Sequence, residues 1–526
     1  MVENKQKIFF YSLIIFSVYS AVLLGQTWDE GHLISQGKIT INYLFSLGRI
    51  DEDIFRREYH SPIYYSLKYL FLQIFPIKYQ IEANHIINLI FSFGVILGIK
   101  KLCKIFFNDK VGKITFLILF LFPAFHGHMA FNSKDTIIAF CHVWIFYYLI
   151  KYIQNQSKSK SVKYFYNIGI LSALGTGINL FFFGSLIPVF LFTIYEVFIG
   201  KKILDKRFKL KSFFLDILKS FFIFYFLLII FWIDTHPNIF ILPFKFFYEW
   251  SFTDLWRGYP FMLLNGEYFI YKDIPKSYLI INFLFKSPEY FLVSYLIFFI
   301  IFFLFKSFFL NKFNFFNYKI TLIISMVLFP FLLLYFTPFS IYDGFRHVLW
   351  MLPYSCIIPA LAIFYIIENI KTIFAKVFGF LQTILFFLFL HNFILLTPYH
   401  YTYLNILNGK NENHYKKFEN DYWGSSIKEL ILNTNINKKS RVIFSSCGIA
   451  EDVAKYYLKK AGFSNFSFKS LEKSDFIIMT NRSTNKIENI YSSENVTNCF
   501  DKFIGKDVSV VKRNGVILSV IRKINL

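Results

Sequence analysis

Residues 378–396 read FGFLQTILFFLFLHNFILL, an apolar run that contains no Asp, Glu, Lys or Arg. About 20 apolar residues in a helix are enough to cross the ~30 Å hydrocarbon core of a bilayer. Residues 8–24 and 213–232 form runs of similar character. The chain is therefore predicted to be a polytopic α-helical membrane protein.

The composition supports the same class. Of 526 residues, 56% are hydrophobic and 22% aromatic, with 74 Phe and a mean hydropathy of +0.47. Soluble domains contain about 45–50% apolar residues. The first apolar run has no small-residue cleavage site before Trp28, so we expect it to be retained as the first helix.

The formal net charge of +23 does not indicate a nucleic-acid partner. A nucleic-acid-binding protein gathers its basic residues on one face or helix, whereas here the Lys clusters lie between apolar runs. Such clusters set the orientation of membrane helices. They also attract anionic membrane lipids.

The Lys-rich segments define a topology, because short loops rich in Lys and Arg stay in the cytoplasm. They occupy residues 5–7, 100–113, 151–163, 201–211, 306–319 and 371–376. Keeping all of them on one side requires about eleven helices, near residues 8–25, 83–103, 113–126, 136–151, 164–178, 180–199, 213–233, 284–305, 320–338, 347–367 and 377–396. It also requires the apolar segment 61–75 to lie in the membrane interface rather than cross.

This topology divides the chain into two predicted domains. Residues 1–396 form a transmembrane domain with large external loops at 26–82 and 234–283. Residues 397–526 are more polar and form a small extracytoplasmic α/β domain. Its predicted elements are strands at 441–446 and 475–480, a helix at 449–461, and a hairpin of 508–511 and 516–521 whose turn contains Asn514-Gly515.

The five cysteines have no metal-ligand spacing. Cys103, Cys141 and Cys356 lie in or beside apolar runs and are expected to be packing residues. Cys447 and Cys499 could pair if their region is outside the cytoplasm. The sequence leaves that pairing open.

Three clusters of ionisable residues fall at the external interface of this topology. They are Trp28-Asp29-Glu30-Gly31-His32, Phe131-Asn132-Ser133-Lys134-Asp135 and Tyr342-Asp343-Gly344-Phe345-Arg346-His347. Any one of them could be a helix cap or a head-group anchor. Three clusters on one face favour a functional site, since ionisable residues at a membrane usually mark one.

The order of these motifs resembles the dolichyl-phosphate-mannose protein mannosyltransferase and aminoarabinose transferase group of C-type membrane glycosyltransferases. In that group an Asp-Glu pair opens the first external loop, here Asp29-Glu30. A His-Pro-Pro-like motif with aromatics follows, here residues 59–65, with Ser61 in place of the first Pro. A second acid begins the fourth helix, here Asp135. Residues 342–353, 399–405 and 421–424 are similar to bacterial members.

The resemblance implies transfer of a sugar from a polyprenyl-phosphate donor to a glycan, lipid or protein acceptor. We expect Asp29 to be the general base, with a pKa raised by partial desolvation. Glu30 would orient Asp29 or the acceptor, and Asp135 would support them. The predicted phosphate ligands are Lys134, Arg346 and His347, with Arg favoured for its bidentate geometry. His60, Tyr64 and Tyr342 complete the predicted substrate-binding set.

Direct attack by the acceptor would invert the anomeric configuration. No His, Cys or Asp spacing demands a cofactor, and a divalent metal stays open. The expected location is a bacterial inner membrane, with the site and the C-terminal domain facing the periplasm or exterior.

The main alternative is a transporter or flippase for lipid-linked sugars. A transporter is expected to carry ionisable groups near mid-membrane, and the predicted spans are nearly free of charge at that depth. A scaffold protein, the third class, leaves Asp29, Glu30 and Asp135 without a role.

Overall fold

The computed structural model describes residues 2–49, 60–158, 160–252, 258–337, 341–488 and 490–524, with side chains from residue 7 onward. Tyr59, the first residue of the His-Ser-Pro motif region, lies outside these ranges.

The described chain is mainly helical. The α-helices are α1 (Val2–Leu23), α2 (Glu30–Phe45), α3 (Ile63–Leu72), α4 (Gln80–Phe106), α5 (Asp109–Leu121), α6 (Pro123–His128), α7 (Asp135–Asn155), α8 (Val162–Ile178), α9 (Phe182–Ser185), α10 (Ile187–Tyr195), α11 (Leu210–Phe231), α12 (Leu242–Phe252), α13 (Tyr278–Lys286), α14 (Glu289–Leu304), α15 (Lys306–Lys312), α16 (Phe316–Phe336), α17 (Leu352–Ser355), α18 (Ile357–Glu368), α19 (Ile373–Leu395), α20 (Ile427–Leu432), α21 (Glu451–Lys460) and α22 (Cys499–Lys502). A π-helical turn covers Glu196–Gly200, and 3₁₀ turns cover Ile77–Tyr79, Ile233–Asn238, Arg346–Met351, His400–Thr402, Ile406–Asn408, Asn411–Lys416, Leu471–Lys473 and Ser493–Asn495.

Six helices in the described ranges are long and apolar enough to cross a membrane. They are Ile77–Phe106, Asp135–Asn155, Leu210–Phe231, Phe316–Phe336, Arg346–Glu368 and Ile373–Leu395. The sharply bent pair of α13 and α14 raises the number to seven if it counts as one span. The chain is an integral membrane protein, but the predicted number of about eleven spans is not confirmed.

The difference between the predicted and the observed number of spans has a local cause. Each predicted span contains helix, but several of these helices are short or broken. The predicted span at 113–126 is divided between α5 and α6, where Pro123 begins the second helix. The span at 180–199 is divided among α9, α10 and the π-helical turn. Proline removes a backbone donor and so interrupts the helical ladder.

The segment predicted to lie in the interface forms α3, a helix of 10 residues. At 1.5 Å per residue it is about 15 Å long, half the thickness of the hydrocarbon core. α3 packs tightly on α2 and α8. A Cβ at Gly37 of α2 would lie 2.2 Å from the carbonyl oxygen of Tyr65. Glycine there allows the two backbones to meet.

The C-terminal region carries a five-stranded sheet in the order β4-β3-β5-β9-β8. The nine strands of the described chain are β1 (Phe261–Leu264), β2 (Glu267–Ile270), β3 (Val442–Cys447), β4 (Phe466–Phe468), β5 (Phe476–Thr480), β6 (Ser483–Asn485), β7 (Val496–Asn498), β8 (Gly505–Arg513) and β9 (Val516–Ile524). β3 runs parallel to β4 and β5, and β9 runs antiparallel to β5 and β8. Two-stranded ribbons pair β1 with β2 and β6 with β7.

The predicted C-terminal elements are confirmed. The two strands, the helix and the hairpin all form within a few residues of their predicted bounds. Asn514 and Gly515 both adopt positive φ, as the two-residue turn between β8 and β9 requires. Cys447 and Cys499 form a disulfide, which settles the pairing that the sequence left open.

The helical region and the sheet share one hydrophobic core. Phe444, Ile478 and Leu518 of the sheet belong to the same buried cluster as the helices. The segment entering the sheet also pairs with the start of the chain, because Gly25 N donates to Ser425 O (2.9 Å) and Trp28 N to Trp423 O (3.2 Å). The segment 421–426 is thereby fixed beside the first predicted external loop.

Candidate active site

Arg346 is the centre of a cluster that joins three distant parts of the chain. Its Nη1 donates to Asp343 Oδ2 (3.0 Å) and its Nε to Asp135 Oδ2 (3.3 Å). Its Nη2 lies 3.8 Å from Asp29 Oδ2. Lys134 Nζ donates to the same Asp29 oxygen (2.8 Å). We call these five residues, Asp29, Lys134, Asp135, Asp343 and Arg346, the charged cluster.

The ends of helices position these side chains. Asp29 is the N-cap residue of α2, but its side chain makes no capping hydrogen bond and instead faces Lys134 and Arg346. Asp135 is the first residue of α7, where the helix dipole stabilises a negative charge. Asn132 fixes this start, since its Oδ1 accepts from Asp135 N (3.0 Å) and its Nδ2 donates to Asp135 Oδ2 (2.9 Å).

The Arg346 side chain is not a head-group anchor. Only 10% of the side chain is exposed, and its guanidinium lies 4.5 Å from the ring centroid of Trp423 and 5.2 Å from that of Tyr342. A planar guanidinium stacks on aromatic faces while its edge keeps the hydrogen bonds. Trp423 therefore holds the guanidinium in the orientation that meets three carboxylates.

The prediction of a raised pKa for Asp29 is wrong. Burial by itself would raise the pKa of this carboxyl, but the positive charges of Lys134 and Arg346 outweigh burial and lower the pKa to about 2. An opposite charge within about 4–6 Å favours the ionised form. The sequence could not show that Lys134, 105 residues away, meets this carboxylate.

Glu30 points away from the charged cluster. Its carboxylate accepts from Thr27 N (2.6 Å) and Asn84 Nδ2 (2.5 Å) and pairs with His85 Nε2 (3.0 Å). Only 1% of the residue is exposed. Burial opposes ionisation of Glu30, but His85 outweighs it and lowers the pKa. Successive residues of a helix project about 100° apart, so Glu30 faces α4 while Asp29 faces α7.

The remaining predicted residues are divided between two places. Tyr342 and His347 adjoin Arg346, and their rings meet edge to face at 4.6 Å. Tyr64 lies on α3 and donates to Asn88 Oδ1 (3.1 Å). His60 is half-buried just before α3. The structure thus brings together Asp29, Lys134, Asp135, Tyr342, Arg346 and His347, but not Glu30, His60 or Tyr64.

Sequence reasoning missed several charged residues. Arg482, from the loop between β5 and β6, donates to Asp343 and to Glu419 Oε2 (3.3 Å). Lys68 of α3 is 2% exposed, and its Nζ has no hydrogen-bond partner within the part of the chain that the structure describes. Burial lowers the pKa of Lys68 to about 8, although the Glu30 charge opposes this. Lys68 could have been noticed because it is the single Lys in the apolar run 61–75. No sequence pattern singled out Arg482.

A metal site is not evident from the arrangement. In the described ranges, no group of three or more His, Cys, Asp or Glu side chains is placed to hold a metal ion.

Comparison with known proteins supports the fold. The structure of ArnT from Cupriavidus metallidurans in the apo state matches with a TM-score of 0.52 at 9% identity, covering 99% of this chain and 98% of that one. The chain has the fold of that protein. The resemblance expected from the motifs is confirmed at this level.

Two further structures match less closely. ArnT bound to undecaprenyl phosphate has a TM-score of 0.48 at 9% identity, covering 99% of this chain and 98% of that one. The oligosaccharyltransferase AglB from Archaeoglobus fulgidus, in complex with an inhibitory peptide and a dolichol-phosphate, has a TM-score of 0.42 at 11% identity. The match covers 90% of this chain and 70% of that one. No protein-family model and no curated sequence matches the chain.

Proposed function

We propose that this protein is an inverting glycosyltransferase, which moves a sugar from a polyprenyl-phosphate donor to an acceptor at the extracytoplasmic face of the membrane. The observation that carries the proposal is the convergence of Asp29, Lys134, Asp135 and Arg346 on one cluster. Phosphoryl leaving groups need cations, and an acceptor hydroxyl or amine needs a base. The cluster holds both.

The proposed roles use the contacts within the charged cluster. Arg346 and Lys134 bind the donor phosphate, and the Asp29 carboxylate receives the proton of the acceptor. As the acceptor oxygen or nitrogen forms its bond to the anomeric carbon, the bond from that carbon to the phosphate oxygen breaks. The electron pair leaves with the polyprenyl phosphate. Attack from the opposite face inverts the anomeric configuration.

Donor binding also activates the base. The pKa of Asp29 is low because Lys134 and Arg346 neutralise its charge. A phosphate bound to these two cations brings negative charge beside Asp29. Lys134 and Arg346 then stabilise the ionised Asp29 carboxylate less. The pKa of the carboxyl then rises from its lowered value, since burial now opposes ionisation with less compensation. The base becomes competent when the donor is in place.

The proposed side of the membrane is extracytoplasmic. Two features support it: every short Lys-rich loop falls on the opposite side of the predicted topology, and a disulfide joins Cys447 to Cys499 in the C-terminal region. Disulfides persist in oxidising compartments. The proposed setting is a bacterial inner membrane, with the acceptor a glycan, a lipid or a protein.

The test uses the full-length protein in proteoliposomes. Undecaprenyl-phosphate donors carrying radiolabelled glucose, galactose, mannose or aminoarabinose are supplied with an envelope extract as acceptor. We expect label from one donor to appear on a new molecule with inverted anomeric configuration, and the Arg346→Met variant to abolish it. Label that crosses the bilayer while still attached to the polyprenyl phosphate would contradict the proposal and favour a transporter.

A further inference from the structure

Asp343 is shared by two arginines from different parts of the chain. Its Oδ2 accepts from Arg346 Nη1 (3.0 Å) and from Arg482 Nη2 (3.4 Å), and its Oδ1 accepts from Arg482 Nη1. The carboxylate is buried, and hydrogen bonds between ionised groups are the strong ones. Because one negative charge meets two guanidinium groups, Arg482 and Arg346 compete for the same counter-ion.

The C-terminal region fixes the position of Arg482. Its carbonyl oxygen accepts from Cys499 N (2.9 Å), and the disulfide joins Cys499 to Cys447. The buried guanidinium lies 3.9 Å from the ring centroid of Tyr259, and its Nη1 also donates to Glu419 Oε2 (3.3 Å). A guanidinium can stack on an aromatic ring while its edge keeps its hydrogen bonds. Arg482 is therefore held by contacts outside the charged cluster.

The charge of Arg346 is offset by the three carboxylates that face it. Each of these acids also has a second hydrogen-bond donor: Lys134 for Asp29, Asn132 for Asp135 and Arg482 for Asp343. A carboxylate with a second donor neutralises Arg346 less than a carboxylate that has Arg346 alone. An anionic ligand can then compete for the guanidinium.

We propose that Arg482 is a positioning residue of the donor site, which engages the charge of Asp343 and so leaves Arg346 available to the donor phosphate. This inference rests on the proposed function, in which Arg346 binds that phosphate. Removing one partner of a buried ion pair is costly, because the other charge is left uncompensated. When the phosphate takes over Arg346, Asp343 keeps its ion pair with Arg482 and this cost is avoided.

Lys286 is a weaker partner of Asp343 than Arg482. It lines the same space as Asp343 and Glu419, and its positive charge interacts with both. Its ammonium makes no hydrogen bond or ion pair with any residue in the described ranges. Lys286 thus balances charge in common with Arg482 but does not hold the Asp343 carboxylate in place.

Binding of undecaprenyl phosphate tests the inference. The full-length protein in nanodiscs is titrated with undecaprenyl phosphate and with undecaprenol, which has the same chain without the phosphate. The ratio of the two Kd values measures the part of the affinity that depends on the phosphate. A variant that merely loses structure weakens both ligands and leaves this ratio unchanged.

The variants are Arg482→Met, the milder Arg482→Lys, Asp343→Asn and the double variant Asp343→Asn/Arg482→Met. Asparagine suits position 343, because Asn and Asp both tolerate the left-handed backbone that Asp343 adopts at φ +57°. The matched control is Arg513→Met. Arg513 is an arginine of the C-terminal sheet that also pairs with a carboxylate, but its partners are Glu429 and the Thr397 carbonyl instead of the charged cluster.

Arg482→Met should lower the phosphate-dependent affinity by about tenfold to a hundredfold, as the loss of a hydrogen bond to a charged group does. Arg482→Lys keeps the charge but not the planar fork, so it should lose less. In the Asp343→Asn background, Arg482→Met should have little effect, because the carboxylate that competes for Arg346 is gone. Arg513→Met should leave the ratio unchanged.

The inference is overturned if Arg482→Met and Arg482→Lys both leave the phosphate-dependent affinity unchanged. It is equally overturned if Arg482→Met has the same effect in the Asp343→Asn background, because two residues that act through each other are not additive. An equal loss for undecaprenol would show a structural role only. If Arg346→Met binds undecaprenyl phosphate as tightly as wild type, the proposed function itself loses its phosphate ligand, whatever the Arg482 variants do.

Discussion

Substitution of Asp29 by Asn tests the proposed base most directly. Asparagine keeps the shape of the side chain and its acceptor oxygen, but it cannot take up a proton at neutral pH. A positioned base contributes about 10²–10⁴-fold to a rate, which corresponds to about 2.7–5.5 kcal/mol of barrier. Turnover should fall by that factor.

The structure also sets the expected cost in stability. Lowering the pKa of Asp29 from 3.8 to about 2 stabilises the fold at neutral pH by at most about 2.5 kcal/mol. This is an upper limit, because 27% of the side chain is exposed and solvent screens its ion pairs. The group has a depressed pKa, so its contribution is complete above pH 4 and is lost as the pH falls through 2. Asp29→Asn removes this contribution wherever it is present, in full above pH 4.

The assay separates the two effects. Release of undecaprenyl phosphate from a radiolabelled donor is measured for the purified variant and divided by its folded fraction from thermal unfolding. Glu30→Gln is the matched control, because Glu30 is the neighbouring carboxylate and contacts Asn84 and His85 instead of the cluster. We expect this control to lose stability with little loss of turnover per folded molecule. Full turnover by Asp29→Asn would refute the assignment and pass the role to Asp135, the other carboxylate that contacts Arg346.

Three further predictions concern the cations and the topology. Arg346→Lys keeps the charge but not the fork that meets three carboxylates, so kcat/KM should fall by about tenfold to a hundredfold with a raised donor KM; an unchanged KM would contradict phosphate binding. Lys134→Gln removes one of the two positive charges that lower the pKa of Asp29, so the acid limb of the kcat/KM–pH profile should move to higher pH. An acid limb at unchanged pH would exclude Asp29 as the group that titrates. A cysteine at exposed Ser470 should react with an impermeant thiol reagent added outside, whereas one at exposed Lys158 should be protected; the reverse pattern would overturn the topology.

The general position of the site was predictable from the sequence because of charge and hydropathy alone. The Lys-rich loops placed Asp29, Asp135 and Arg346 on one side of the membrane, and in the structure Arg346 contacts both acids. The C-terminal strands were predictable from their local pattern. The orientation of Glu30 was not predictable, since the sequence does not show which way each of two adjacent acids faces.

Other features depend on contacts that no local pattern encodes. The low pKa of Asp29 comes from Lys134 across the fold. Asp343 appeared in a motif, but its bond to Arg482 joins parts of the chain separated by 139 residues. The number of spans was not predictable because apolar segments of similar hydropathy fold into single helices in one place and into broken helices in another.

The bond from Arg482 to Asp343 has a consequence for the timing of synthesis. Asp343 leaves the ribosome before Arg482, which lies 139 residues further along the chain, between β5 and β6. Until the segment between β5 and β6 has been made and folded, Asp343 lacks one of its two arginine partners. A nascent or truncated chain in the membrane therefore holds an incomplete site.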